Sequence, residues 1–172
     1  MADEGLGGAL ARLWTPYRMA YITGETSDPG DETCPLCRLP DVPEAESLVC
    51  ARGASVFAVL NLHPYNPGHL MVLPYRHVAE LEDLTAAETT ELSSMTRDAI
   101  KTLRAVSGPQ GFNVGLNLGS VAGGSLAAHL HQHVVPRWEG DANFMTVLGR
   151  TKIMPQLLSD TRALLAQAWP VG

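Results

Sequence analysis

The chain contains no uninterrupted apolar stretch of about 18 residues, the length a membrane-crossing helix needs. Its amino terminus, MADEGLGGALARLW, lacks the basic-then-apolar order of a secretion signal. A cytoplasmic location is the expectation. Cysteine is scarce, three in 172 residues, which excludes a small disulfide-stapled fold and leaves an odd thiol count suited to a reducing compartment. Basic residues are outnumbered, 12 Lys and Arg against 18 Asp and Glu, for a net charge of −6. A general nucleic-acid binder needs a basic stripe, so neither nucleic acid nor membrane is expected as a partner. An anionic ligand would have to be attracted locally. Internal repeats and low-complexity tracts are also missing. What remains is a 45% hydrophobic chain, enough for one sizeable core and one folded unit.

Along the chain, LARLWTPYRMAYI reads as a short helix or arm that packs its aromatics on the main body, and GETSDPGDET (24–33) as an acidic loop. SVFAVLNL (55–62) and HLMVLPY (69–75) are aliphatic runs joined by the turn residues of HPYNPG, an antiparallel pair with an irregular connection. Thr85 followed by Glu88 makes a capping box. Leu92, Met95, Ala99, Ile100 and Leu103 then mark one helical face through about Val106, and Gly108 and Pro109 stop it. FNVGLNLGS (112–120) and HLHQHVVP (129–136) read as strands around the Gly-rich turn 121–128, and Pro155 to Trp169 as an amphipathic terminal helix with Pro155 in its first turn. The expected class is α+β, an antiparallel sheet with one long central helix and a carboxyl-terminal helix. We divide the chain into an amino-terminal arm (1–50), a catalytic core (51–138) and an extension (139–172).

Three histidines stand at alternate positions in HLHQH. On a strand, residues two apart point to one face at roughly 6.5 to 7 Å spacing, so His129, His131 and His133 would form a row with Leu130 and Gln132 facing away. Buried neutral imidazoles need partners and adjacent protonated ones repel, so such a row calls for a ligand. The other three histidines, His63, His69 and His77, lie on or beside the 55–77 hairpin. If the two regions adjoin, imidazoles and backbone amides converge on a pocket suited to phosphate. The turn before the row supports this, because Gly123 and Gly124 admit an oxyanion to the backbone and Ser125 adds a hydroxyl. Cys34-Pro35-Leu36-Cys37 is open to three readings: redox chemistry, zinc or unliganded thiols. Cys50 reads as a packing residue.

NLHPYNPGHLMVLPYRH together with NLGSVAGGSLAAHLHQHVVPRW resembles the histidine triad family of nucleotidyl hydrolases and transferases, whose signature is His-φ-His-φ-His-φ-φ with φ apolar. Gln132 is the one departure within the signature. LWTPYRMAY before the core and HVVPRWEGDANF after it look most like the actinobacterial diadenosine tetraphosphate phosphorylases of that family. The resemblance implies that His131 attacks the α-phosphorus and forms a covalent nucleotidyl-histidine, its second ring nitrogen held by an acceptor such as a backbone carbonyl. It implies that His133, Asn117 and the amides of Gly124 and Ser125 embrace the phosphates, that the Ser125 hydroxyl serves the leaving oxygen, and that Asn61 meets the ribose. Many members carry glutamine where Ser125 stands, which leaves the proton donor open. His69 is expected among the nucleotide-binding residues. Trp138 either stacks on a base or is core. Zinc-containing relatives pair such a CxxC with two histidines, which implies structural zinc on Cys34, Cys37, His77 and His129.

The expected activity is cleavage of diadenosine tetraphosphate, with inorganic phosphate as co-substrate giving ATP and ADP, or with water giving ATP and AMP. Alternatives are a nucleoside phosphoramidase, a non-catalytic nucleotide-binding regulator, and a catalytic zinc held by the three histidines. The resemblance also implies a homodimer, or a tetramer built from it.

Overall fold

The computed structural model describes residues 34–43, 46–122, 126–141 and 154–170. The expected aromatic-bearing segment and acidic loop within residues 1–33, the residues Gly123, Gly124 and Ser125, and all of 142–153 lie outside the described residues. In chain order the elements are α1 (Pro35–Arg38), β1 (Val49–Arg52), β2 (Val56–Leu60), β3 (Leu70–Pro74), α2 (Ala86–Ser107), β4 (Gly111–Leu116), β5 (Gln132–Arg137) and α3 (Leu158–Ala168). The five strands form one antiparallel sheet in the order β1-β2-β3-β5-β4, which is the expected α+β arrangement. β1 was not foreseen. Cys50, on that strand, is buried in the core as a packing residue.

Strand alternation divides the sheet into two faces. Val56, Ala58 and Leu60 of β2, Leu70 and Val72 of β3 and Val134 of β5 meet Leu92, Met95, Ala99 and Leu103 of α2 and Leu165 of α3. Phe57, Val59, Met71 and Leu73 meet Cys34 and Leu36 on the other face. Because β2 and β3 are buried on both sides, they read in the sequence as continuous apolar runs rather than alternating ones.

The boundaries of α2 follow from local chemistry. Thr85 accepts from the Glu88 amide while the Glu88 carboxylate accepts from the Thr85 amide, satisfying two orphan donors reciprocally. Gly108 ends the helix with a left-handed φ of 55°. α3 begins at Leu158, three residues beyond Pro155, so that proline lies outside the first turn in which it was expected. At the site end of β3, Gly68 takes φ 75°, and a Cβ there would lie 2.9 Å from Leu103 Cδ2. Glycine is therefore needed where the 61–68 loop turns back into His69.

Candidate active site

The expected row of three histidines is broken. The β5 ladder begins at Gln132, because the Leu130 amide donates to the Val78 carbonyl (2.6 Å) instead of to a strand partner. Of the three histidines, His133 alone lies on a strand. The His131 and His133 rings still adjoin, edge to face with centroids 5.0 Å apart, while His129 is turned to a different set of partners.

Each ring's tautomer follows from what its nitrogens meet. The His129 Nε2–H donates to the Pro74 carbonyl (3.0 Å), leaving the Nδ1 lone pair 3.5 Å from Cys34 Sγ and 3.3 Å from Cys37 Sγ. The His131 Nδ1–H donates to the His129 carbonyl (2.7 Å), so Nε2 carries the lone pair. His69 Nδ1 accepts from the Tyr65 amide (3.1 Å). Its Nε2–H must then donate to His133 Nδ1 (2.9 Å), which leaves His133 as an Nε2–H donor. Burial, reinforced by the charges of His133 and His131, pushes His69 down to about 3. Burial, reinforced by His131, pushes His133 down to about 4. Both rings are therefore neutral at physiological pH, as the chain of donors requires. A lone-pair nitrogen on His131 and an N–H on His133 are what a phosphoryl group needs from one side: a nucleophile and an oxyanion donor.

His133 lines an open cleft of about 490 Å³ together with Tyr65, Asn66, Asn113, Asn117 and Arg137. Asn117, just past β4, is where the phosphate contacts were expected. Asn61 follows β2; its Oδ1 accepts from the His63 amide (2.9 Å) and its Nδ2 lies 3.5 Å from His69 Nδ1. One N–H and one lone pair of its amide remain for a ligand.

Two expected nucleotide contacts are placed elsewhere. His69 is 0% exposed with both nitrogens engaged, so it reaches a nucleotide only through His133. Trp138 shares strand parity with Val134 and Pro136 and therefore faces away from the cleft. Its Nε1–H donates to the Ser107 carbonyl at the end of α2 (3.2 Å), where it lines a second cavity. Gln132 turns the same way and donates to Thr96 of α2 (2.9 Å). The departure from the apolar signature is thus spent on the core side of the sheet.

On the cleft side, the thiols of Cys34 and Cys37 and ring nitrogens of His77 and His129 offer four atoms within 4.8 Å of one another. Two sulfurs and two imidazoles on a small, largely buried cluster suit a closed tetrahedral metal site. Since the His129 ring nitrogen belongs to this set, the catalytic-zinc alternative, which needs all three triad histidines on one ion, does not fit. His131 and His133 have their own partners.

The HIT domain model matches residues 42–140. The chain belongs to the HIT family. This HIT protein is 58% identical to the AP-4-A phosphorylase of Mycobacterium tuberculosis over 97% of the chain and 89% of that protein. It is 37% identical to the asymmetrical bis(5'-nucleosyl)-tetraphosphatase of Schizosaccharomyces pombe over 49% of the chain and 46% of that protein. Among solved structures, the fold is shared with a zinc-bound histidine triad family protein from Mycobacterium smegmatis, with TM-score 0.65 and 23% identity over 81% of this chain and 94% of that one.

Sequence reasoning missed Tyr65, Asn66, Asn113 and Arg137. Tyr65 is 49% exposed and tilts over His69 and His133, with centroids at 4.7 and 5.8 Å. Arg137 had a legible signal, since 133, 135 and 137 must share the face of β5 that bears His133.

Proposed function

We infer that this enzyme cleaves diadenosine tetraphosphate by nucleotidyl transfer to His131, and that inorganic phosphate resolves the intermediate. The observation that carries this is the fixed tautomer of His131: its Nδ1–H is tied to the His129 carbonyl, leaving Nε2 as an unprotonated nucleophile beside the His133 donor. In the first step a His131 Nε2–phosphorus bond forms at one α-phosphorus and the bond to the bridging oxygen breaks, releasing ATP. In the second, a phosphate oxygen displaces the histidine and ADP leaves. His133 and Asn117 bond the transferring phosphoryl oxygens, the amides of Gly124 and Ser125 complete the cradle, and the Ser125 hydroxyl serves the leaving oxygen. Asn61 meets the ribose.

We assign structural zinc to Cys34, Cys37, His77 and His129, supported by the thiolate and imidazole donor set. When bound it supplies no reacting ligand; it ties the CxxC segment to the residue whose carbonyl orients the nucleophile. A homodimer paired along β4 is favoured by that strand's place at the sheet edge and by its exposed Val114. The location is cytoplasmic in this reading.

Supplying diadenosine tetraphosphate with and without phosphate, and identifying the nucleotides released, tests the reading. ADP formed only with phosphate supports phosphorolysis. AMP in both conditions would replace it with hydrolysis, the reaction named for the Schizosaccharomyces pombe relative. Binding without turnover would replace both with a regulator.

A further inference from the structure

The cleft continues past His133 to a guanidinium held in an organised frame. Along β5 the side chains of His133, Val135 and Arg137 line it in turn, and four residues of strand carry the wall roughly 13 Å from the first to the last. Gly115 of β4 lies opposite His133 and leaves the floor bare there. Among the described residues lining the cleft, Arg137 alone carries a permanent charge and none is a carboxylate.

Arg137 Nε–H and Nη2–H donate to the two oxygens of Asp141 (2.6 and 3.1 Å), and Nη1–H donates to Asn113 Oδ1 (2.7 Å). Asp141 is itself pinned by Asn66 Nδ2 (2.7 Å), and Asn66 is 2% exposed. A surface ion pair contributes little stability, so the main consequence of this frame is orientation. A guanidinium has five N–H donors, and three are used. Two remain, on a planar group suited to phosphate oxygens.

We propose that Arg137 receives the distal phosphates of the leaving nucleotide, so that the cleft selects for polyphosphate chain length. The inference rests on the nucleotidyl-transfer reading above. A single phosphoryl group seated at His131 and His133 would not reach this far along the strand, whereas the longer chain of a nucleoside triphosphate, laid along β5, would come within reach of the Arg137 side chain.

The test is calorimetric binding of AMP, ATP and inorganic tripolyphosphate to the full-length wild type, Arg137→Met and Arg137→Lys, with thermal unfolding of each. ATP and tripolyphosphate should weaken roughly tenfold to a hundredfold in Arg137→Met, and AMP by less than about twofold. Arg137→Lys should recover part of the loss, because charge returns without the fork. Equal weakening of AMP and ATP, or no weakening of either, would overturn the proposal and leave Arg137 as a tie between β5 and the turn at Asp141. A wild type that fails to cleave diadenosine tetraphosphate yet shows the graded affinities would support this site and sink the catalytic reading instead.

Discussion

Replacing His69 by leucine removes a side chain that touches no solvent but sets the tautomer of His133. Two losses follow. The Tyr65 amide, which donates to His69 Nδ1, is left without its acceptor, a cost of about 1–3 kcal/mol in stability if water does not replace it. His133 Nδ1 loses the donor at 2.9 Å, so its proton is no longer fixed on Nε2, the donor we assign to the phosphoryl oxygens. Removing one oxyanion donor costs about 10²–10³ in kcat, which bounds the effect from above. His69→Leu should fall about 10- to 100-fold in kcat, with KM changed less. His69→Gln, which offers an amide N–H to His133, should recover part of it. The assay is a double-mutant cycle in steady-state kinetics: His69→Leu combined with His133→Ala should be no slower than His133→Ala alone. Full additivity of the two losses, or an unimpaired His69→Leu enzyme, would refute the relay.

Cys34→Ser should reduce metal content to background by elemental mass spectrometry and lower the melting temperature by roughly 4–8 °C for a loss of about 2 kcal/mol. A chelator should then lower the melting temperature of wild type but not of the variant. Glu88 is held near 2, against an ordinary 4.5, first by the hydrogen bond from Arg76 and then by the Thr85 amide. Because its folded value is depressed, its stabilisation is full above about 4.5 and fades as pH falls toward 2. Urea unfolding of Glu88→Gln should therefore show a loss of about 0.5–1.5 kcal/mol at neutral pH that shrinks in acid. Gln132→Leu should leave kcat unchanged and shift stability by about 1 kcal/mol or less. Thr96 would still donate to the Leu92 carbonyl (2.7 Å).

The long-range architecture was legible where local signals were complete. The capping box at Thr85, the apolar spacing through Leu103 and the stop at Gly108 delimit α2 to within a residue. β1 escaped notice because it is four residues long and joined to β2 through Gly53, Ala54 and Ser55, which carry no tight-hairpin signature. The histidine row failed because alternation was read as strand. Its first two members precede the ladder, and a backbone bond to Val78, far away in sequence, decides that. The His131 tautomer, with its second ring nitrogen on a backbone carbonyl, was expected, whereas that of His129 was out of reach, since the Pro74 carbonyl that sets it lies 55 residues away. The two readings left open for Trp138 could have been separated from the sequence. Counting parity from His133 puts Arg137 in the cleft and Trp138 behind it.

The central claim is that Nε2 of His131 takes the nucleotidyl group. Rapid acid-free quenching of a single turnover without phosphate, followed by peptide mass spectrometry, tests it most directly. The account requires an adenylyl group on the peptide bearing His131, discharged as ADP when phosphate is added and not formed by His131→Ala. An unmodified peptide during turnover, or an adenylyl group on another residue, would contradict it.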